Sequence, residues 1–173
     1  MGCVFCDLGM HDVQYSNATF VARLDIHPVS PGHMLLIPKR HVERQSELVA
    51  NELLDLEEAR RAAECYVERM GPEVLRRRYE RIRDAARSEN SPWFVTQALA
   101  HTRFGEKPDG FNFFVNQGEA AGQTVTHLHC HVVPRYRGDV HDPFGGARSV
   151  IPELANYTRQ RRKTPRVESM LEL

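Results

Sequence analysis

The sequence is short of the features that mark membrane, fibrous or disulfide-scaffold proteins. No run approaches the ~18 consecutive apolar residues that a membrane-spanning helix needs, so no membrane span is expected. It has no net charge, with 23 Lys+Arg against 23 Asp+Glu. That balance offers no global attraction to nucleic acid or to an anionic membrane. Cysteine is scarce: Cys3, Cys6, Cys65 and Cys130 are the only four in 173 residues. So few argue against a secreted disulfide framework and for a reducing, cytoplasmic setting. The opening "MGCVFCDLGM" has neither a basic stretch nor a long apolar one, and no secretory leader is expected. No internal repeat or low-complexity tract is visible. The composition, 41% hydrophobic and 27% charged, excludes a disordered chain and a fibre. The length predicts a single domain over 1–173 with a polar tail from about 153. The tail's "RQRRK" has no interleaved aromatics and reads as a solvated basic end.

Local patterning predicts a mixed fold. Residues 18–24 ("ATFVARL") alternate as a strand after a Ser16-Asn17 turn, and "HMLLIP" (33–38) is a short apolar strand closed by Pro38. Residues 46–70 repeat apolar side chains at helical spacing behind Ser46 as N-cap, and Gly71-Pro72 stops them. A second helix is expected over 73–87, with Leu75, Tyr79, Ile82 and Ala86 on one face and arginines on the other. "WFVTQALAHTRF" could form a further short helix. "FNFFVN" (111–116) and "TVTHLHCHVV" (124–133) read as a hairpin, the second strand ended by Pro134. The simplest arrangement is α+β: an antiparallel sheet with helices packed on one face.

Histidine is what the chain has in abundance, nine in all, and three of them are patterned. His127, His129 and His131 stand two apart in "HLHCHVV". On a strand they would share one face, with Leu128, Cys130 and Val132 on the other. A row of imidazoles suits nucleophilic attack on phosphorus, because half or more of the unperturbed side chain is neutral near pH 7. A neighbouring histidine can orient the nucleophile or protonate a leaving oxygen. The same row could bind zinc or copper, but no Asp or Glu lies between 120 and 138 to complete a hydrolytic metal centre.

Together these stretches resemble the histidine triad (HIT) proteins. "HLHCHVV" is similar to the family's H-x-H-x-H-x-x signature, "GQTV" to its usual lead-in, and "LDIHPVSPGHMLLIPKRH" (24–41) to its Pro-Gly-His strand and Pro-Lys-x-His turn. The resemblance covers about 1–70 and 110–152. It implies a five-stranded antiparallel sheet with a long helix, paired as a homodimer, and nucleotidyl transfer through the central histidine. Carried onto this chain, it makes His129 the nucleophile toward the α-phosphorus of a nucleotide substrate. It places His131 on the phosphate and leaving group, and His33 as support from the neighbouring strand. Gln123 and Thr124 match positions that bond phosphate or leaving group, Asn116 a polar wall of the site, and Asp25 a ribose contact. The continuation "PRYRGD" resembles the fragile-histidine-triad branch, whose members split dinucleoside polyphosphates. This favours a hydrolase of an AMP–X substrate such as diadenosine polyphosphate, with Mg2+ a candidate companion of the substrate. A nucleotidyltransferase or phosphorylase, an AMP phosphoramidase and a nucleotide-binding regulator are the alternatives.

Cys3 and Cys6 stand at metal-knuckle spacing. In the zinc-bearing branch of the family, such a pair joins a histidine after the second strand and the first of the triad. By that match Cys3, Cys6, His41 and His127 form a closed structural zinc site. The gap of 85 residues between His41 and His127 exceeds the usual spacing. The excess falls in about 71–106, read as a mostly helical insertion. It contributes His101 as a rival ligand and Trp93 or Phe94 as aromatics that either stack on a base or fill the core. Arg135, Arg137 and Arg148 could neutralise a polyphosphate or simply lie on the surface. Cys65 and Cys130 read as small core residues.

Overall fold

The computed structural model describes residues 2–7, 12–85 and 89–151. The chain divides into two compact units, 1–136 and 137–173. Among its described residues the first holds five strands and three helices: β1 (Val13–Ser16), β2 (Phe20–Leu24), β3 (Met34–Pro38), α1 (Ala50–Arg69), α2 (Pro72–Ala85), α3 (Ser91–Leu99), β4 (Gly110–Val115) and β5 (Cys130–Arg135). In the second unit the described residues carry one 3-10 turn, Gly146–Val150. The polar tail expected from about 153 lies outside the described residues, as does the far end of the helix expected to reach 87. Among the described residues, no helix is long and apolar enough to cross a membrane.

The sheet runs in the order β1-β2-β3-β5-β4, every neighbouring pair antiparallel. Asn17 turns β1 into β2, its Oδ1 accepting from the amides of Thr19 (3.2 Å) and Phe20 (2.8 Å). β1 itself was not expected from the pattern. It is four residues long, and its register with β2 shifts between Val13 and Tyr15, which blurs the alternation.

Helix α1 lies on one face of the sheet. Leu56, Ala59, Ala63 and Val67 are buried at spacings of three and four, one stripe of a helix. They meet Phe20, Ala22, Leu24, Met34, Leu36, Leu128, Cys130 and Val132 in a single core. Residues of opposite parity face away from α1. Along one line across the sheet these are Arg23, Leu35, His131 and Phe114, each paired with the next. His33, two residues before Leu35, shares that parity.

The expected helix start at Ser46 moves to Ala50, behind a 3-10 turn at Gln45–Glu47. Carboxylates decide this. Glu52 accepts from the Val49 amide (2.9 Å) and grips Arg40 through both oxygens (2.5 and 2.7 Å), capping the helix one turn later. The arginine beside it holds Glu52 down near pKa 2. The helical insertion is present as α2 and α3. Leu75, Tyr79 and Ile82 of α2 and Val95 and Ala98 of α3 are buried in the same core.

The strand expected over 124–133 is corrected in two ways. It begins only at Cys130, and it runs through Pro134 to Arg135. The β3–β5 ladder stops at Leu36–Cys130. Beyond it, the His127 ring donates to the Pro38 carbonyl (2.9 Å) and the Leu128 amide to the Val42 carbonyl (2.6 Å). The groups that would have extended the ladder are therefore already bonded. Pro134 is tolerated because β3 pairs only with residues 130–132, leaving one side of β5 without ladder partners there.

Candidate active site and metal centre

The three histidines do not lie on one continuous strand. Only His131 belongs to β5. The chain irregularity at 124–129 sends His127 back toward β3, where it is buried to 1% exposure. His129 (6% exposed) lies between the two and is largely interior. The other half of the pattern holds: Leu128, Cys130 and Val132 are all in the core. Burial raises the Cys130 thiol to about 12, so it is an inert apolar residue. Cys65 is half-buried on α1.

Hydrogen bonds fix the state of His129. Its Nδ1 lies 2.8 Å from the carbonyl oxygen of His127. A carbonyl only accepts, so Nδ1 donates, and in the neutral ring the lone pair lies on Nε2. Phe5 packs edge-on against this ring, with centroids 5.1 Å apart. His131 stands next to it, ring centroids 5.2 Å apart. Phe114, its cross-strand partner in β4, stacks on His131 at 4.8 Å and 16°. On the far side His33 Nε2 comes within 3.0 Å of His131 Nδ1. Burial lowers the His131 pKa to about 4, with His33 and His129 adding to the effect, so the ring is neutral at pH 7. Its Nε2 is buried and has no partner among the described residues. Burial lowers His33 as well, against the opposing pull of Asp25.

Asp25 is buried, with Oδ1 accepting from the His27 amide (2.8 Å) and Oδ2 lying 3.4 Å from His33 Nδ1. Asp25, His33 and His131 cluster within 4.8 Å. Asp25 meets one nitrogen of His33 and His131 the other, a chain of polar contacts. Asn116 is half-buried just after β4. Gln123 bonds the Gly118 amide (2.7 Å) and the Glu43 carbonyl (3.2 Å). Gln123 and exposed Thr124 line a cavity of about 520 Å³ with Glu43, Arg44, Gly118 and Thr126. None of the triad histidines is in that lining.

Cys3, Cys6, His41 and His127 come together, their donor atoms all within 4.8 Å. Cys3 Sγ and Cys6 Sγ lie 3.4 and 3.6 Å from His127 Nδ1, and Cys6 Sγ lies 3.4 Å from His41 Nδ1. Zinc bound at about 2.3 Å to sulfur and about 2.05 Å to nitrogen, at tetrahedral angles, separates those donors by about 3.5 Å. The four side chains therefore fit the ion. The His127 bond to the Pro38 carbonyl puts the proton on Nε2 and turns the Nδ1 lone pair toward the thiols, the outer support that metal-binding histidines need. His101 is not in the cluster; its Nδ1 accepts from the Arg103 amide (3.2 Å) and its ring lies near Tyr136. Arg135 is bonded to Asn112 (2.6 Å). Trp93 is 61% exposed rather than buried in the core, and Phe94 meets His27 edge-on.

A family model for the HIT domain matches residues 10–138. The chain belongs to the HIT domain family. Among HIT relatives, the AP-4-A phosphorylase of Mycobacterium tuberculosis is 32% identical over 142 residues, 80% of this chain and 54% of the phosphorylase. The chain thus spans about half of that relative's length. The bis(5'-adenosyl)-triphosphatase of Dictyostelium discoideum is 27% identical over 129 residues, 74% of this chain and 62% of that protein. A crystal structure of a Hit-like protein involved in cell-cycle regulation from Bartonella henselae shares the fold, with TM-score 0.53 and 21% identity over 79% of this chain and 78% of its own. The HIT fold and the motif residues were legible in the sequence. Phe5 and Phe114, which pack on His129 and His131, were not singled out. The one available signal was the hairpin register that places Phe114 opposite His131.

Proposed function

We propose that this HIT protein is a nucleotide hydrolase that cleaves an AMP–X substrate, such as a diadenosine polyphosphate, at the α-phosphorus. The observation that carries the reading is the His129 tautomer: Nδ1–H is held by the His127 carbonyl, so Nε2 presents a lone pair. Nε2 forms a bond to phosphorus as the bond to the bridging oxygen breaks, and the remaining phosphate chain leaves. Water then attacks the same phosphorus, the N–P bond breaks, and the mononucleotide is released. His131, neutral and with Nε2 unpartnered, contacts the phosphoryl group; His33 supports it. Asp25 and Asn116 are proposed to meet the nucleoside, and Gln123 and Thr124 the phosphate chain.

Cys3, Cys6, His41 and His127 are proposed to hold a structural zinc ion. With no open coordination position, zinc supplies stability rather than chemistry. It pins the N-terminal segment, including Phe5, against His129. A homodimer is proposed as well. β4 is an edge strand, and its Phe113 is 42% exposed.

The phosphorylase relative motivates a second reading, in which inorganic phosphate replaces water in the second step. Diadenosine tetraphosphate decides between them. Water yields AMP and ATP; phosphate yields ADP and ATP. Hydrolysis predicts AMP with or without added phosphate, and ADP only in its presence supports the phosphorylase. Binding without turnover would indicate a regulator, and turnover of an AMP amide alone a phosphoramidase. His129→Ala is expected to lower kcat about 10⁴-fold, roughly 5–6 kcal/mol of barrier; a variant keeping a tenth of the rate would remove His129 from the nucleophile's role.

A further inference from the structure

The inserted helices reach the histidine cluster through one hydroxyl. Tyr79 lies on the buried face of α2 and has no exposed surface. A phenol in such a place must find polar partners, and phenylalanine would fill the same volume without that demand. Both partners lie in one turn. The Tyr79 oxygen accepts from the Gly32 amide at 2.8 Å, and its hydrogen faces the Ser30 carbonyl at 3.5 Å. The His33 amide closes the turn onto the Ser30 carbonyl (3.1 Å), while Ser30 Oγ bonds the Pro134 carbonyl (2.7 Å). Gly32 has a φ of +85°, and a Cβ there would meet Val67 Cγ1 at 2.8 Å, so the turn is seated tightly against α1 as well. The residue emerging from this turn is His33, whose Nε2 stands 3.0 Å from His131 Nδ1.

We propose that Tyr79 is a positioning residue: its hydroxyl fixes the Gly32 amide and so holds the His33 ring within hydrogen-bond reach of His131, which fixes one tautomer of His131. The insertion then tunes the reacting face from the core instead of decorating the surface. This rests on the reading of His129 and His131 as the reacting pair. Hydrogen bonds weaken steeply beyond about 3.2 Å, so a shift of a few tenths of an ångström in His33 releases His131.

The test is Tyr79→Phe in the full-length, zinc-loaded protein. The Gly32 amide loses its partner without a change of shape. Turnover of diadenosine tetraphosphate should fall about tenfold or more in kcat with KM within about twofold, as geometric misplacement predicts. In ¹⁵N-histidine spectra, the two ring nitrogens of wild-type His131 should show one tautomer, and those of the variant should average. A folded, destabilised variant with wild-type kcat and an unchanged His131 signature would show a merely structural tyrosine and overturn the proposal. Should Tyr79→Phe not fold, Ser30→Ala loosens the same turn from β5 and is expected to give the same two changes; neither change there overturns it equally. If the wild type turns over no nucleotide, the hydrolase reading fails, and the ring spectra still decide the role of Tyr79.

Discussion

His41→Ala tests the metal centre with little collateral damage. His41 is exposed, and it meets the rest of the site through Cys6 and the edge of the His127 ring. Its loss removes one of the four proposed donors and leaves the core intact. Three donor separations of 3.4, 3.4 and 3.6 Å already match the tetrahedral edge for zinc, about 3.5 Å, so the ion requires little rearrangement. Free zinc at about 100 to 1,000 times its dissociation constant stabilises the fold by about 2.7–4.1 kcal/mol through mass action. For a domain of this size, that corresponds to roughly 5–16 °C in Tm. Protein purified without an affinity tag is expected to contain about one zinc per chain by elemental analysis. Chelation should lower its Tm by that amount. His41→Ala and Cys6→Ser should bind zinc weakly, and chelator should barely move their Tm. Because the ligands must be deprotonated, the stabilisation should also fade as pH falls. Wild-type protein with no zinc, or zinc content unaffected by both substitutions, would refute the assignment of these four ligands.

Two further outcomes are expected. Leu128→Ala removes a fully buried side chain between two histidines and should cost about 3–5 kcal/mol in chemical denaturation; a loss below about 1 kcal/mol would mean that Leu128 does not anchor the 124–129 segment. His131 predicts a pH slope. Unfolded, it takes a proton near 6.5; folded, only near 4. Between these values the unfolded chain binds more protons, so stability falls as pH drops through the window and levels below it, by at most about 3 kcal/mol. The stability difference between wild type and His131→Gln, measured at matched pH from 7.5 to 3.5, should shrink across that window, and a constant difference would contradict the burial argument.

The reading of the motif depended on side-chain chemistry that survives any local irregularity. Period-two alternation put Leu128, Cys130 and Val132 in the core, and helical spacing found the buried stripe of α1 and the Leu75–Tyr79–Ile82 face of α2. Both are short-range consequences of backbone geometry. The start of α1 was misplaced because Glu52, which caps it at the Val49 amide, is held there by Arg40, twelve positions away, and the two meet only in the folded chain.

By itself, then, the order of residues determined which side chains are apolar, which carry imidazoles or thiols, and the family to which such an order belongs. Tertiary structure decided how the histidines divide. Because His127 bonds the Pro38 carbonyl and the Leu128 amide bonds the Val42 carbonyl, β5 begins only at Cys130, and the three histidines take different surroundings: His127 beside Cys3, Cys6 and His41, His129 bonded to the His127 carbonyl, and neutral His131 within 3.0 Å of His33. No spacing rule contains that outcome, since it turns on a carbonyl 89 residues away finding a ring nitrogen in place of a strand amide.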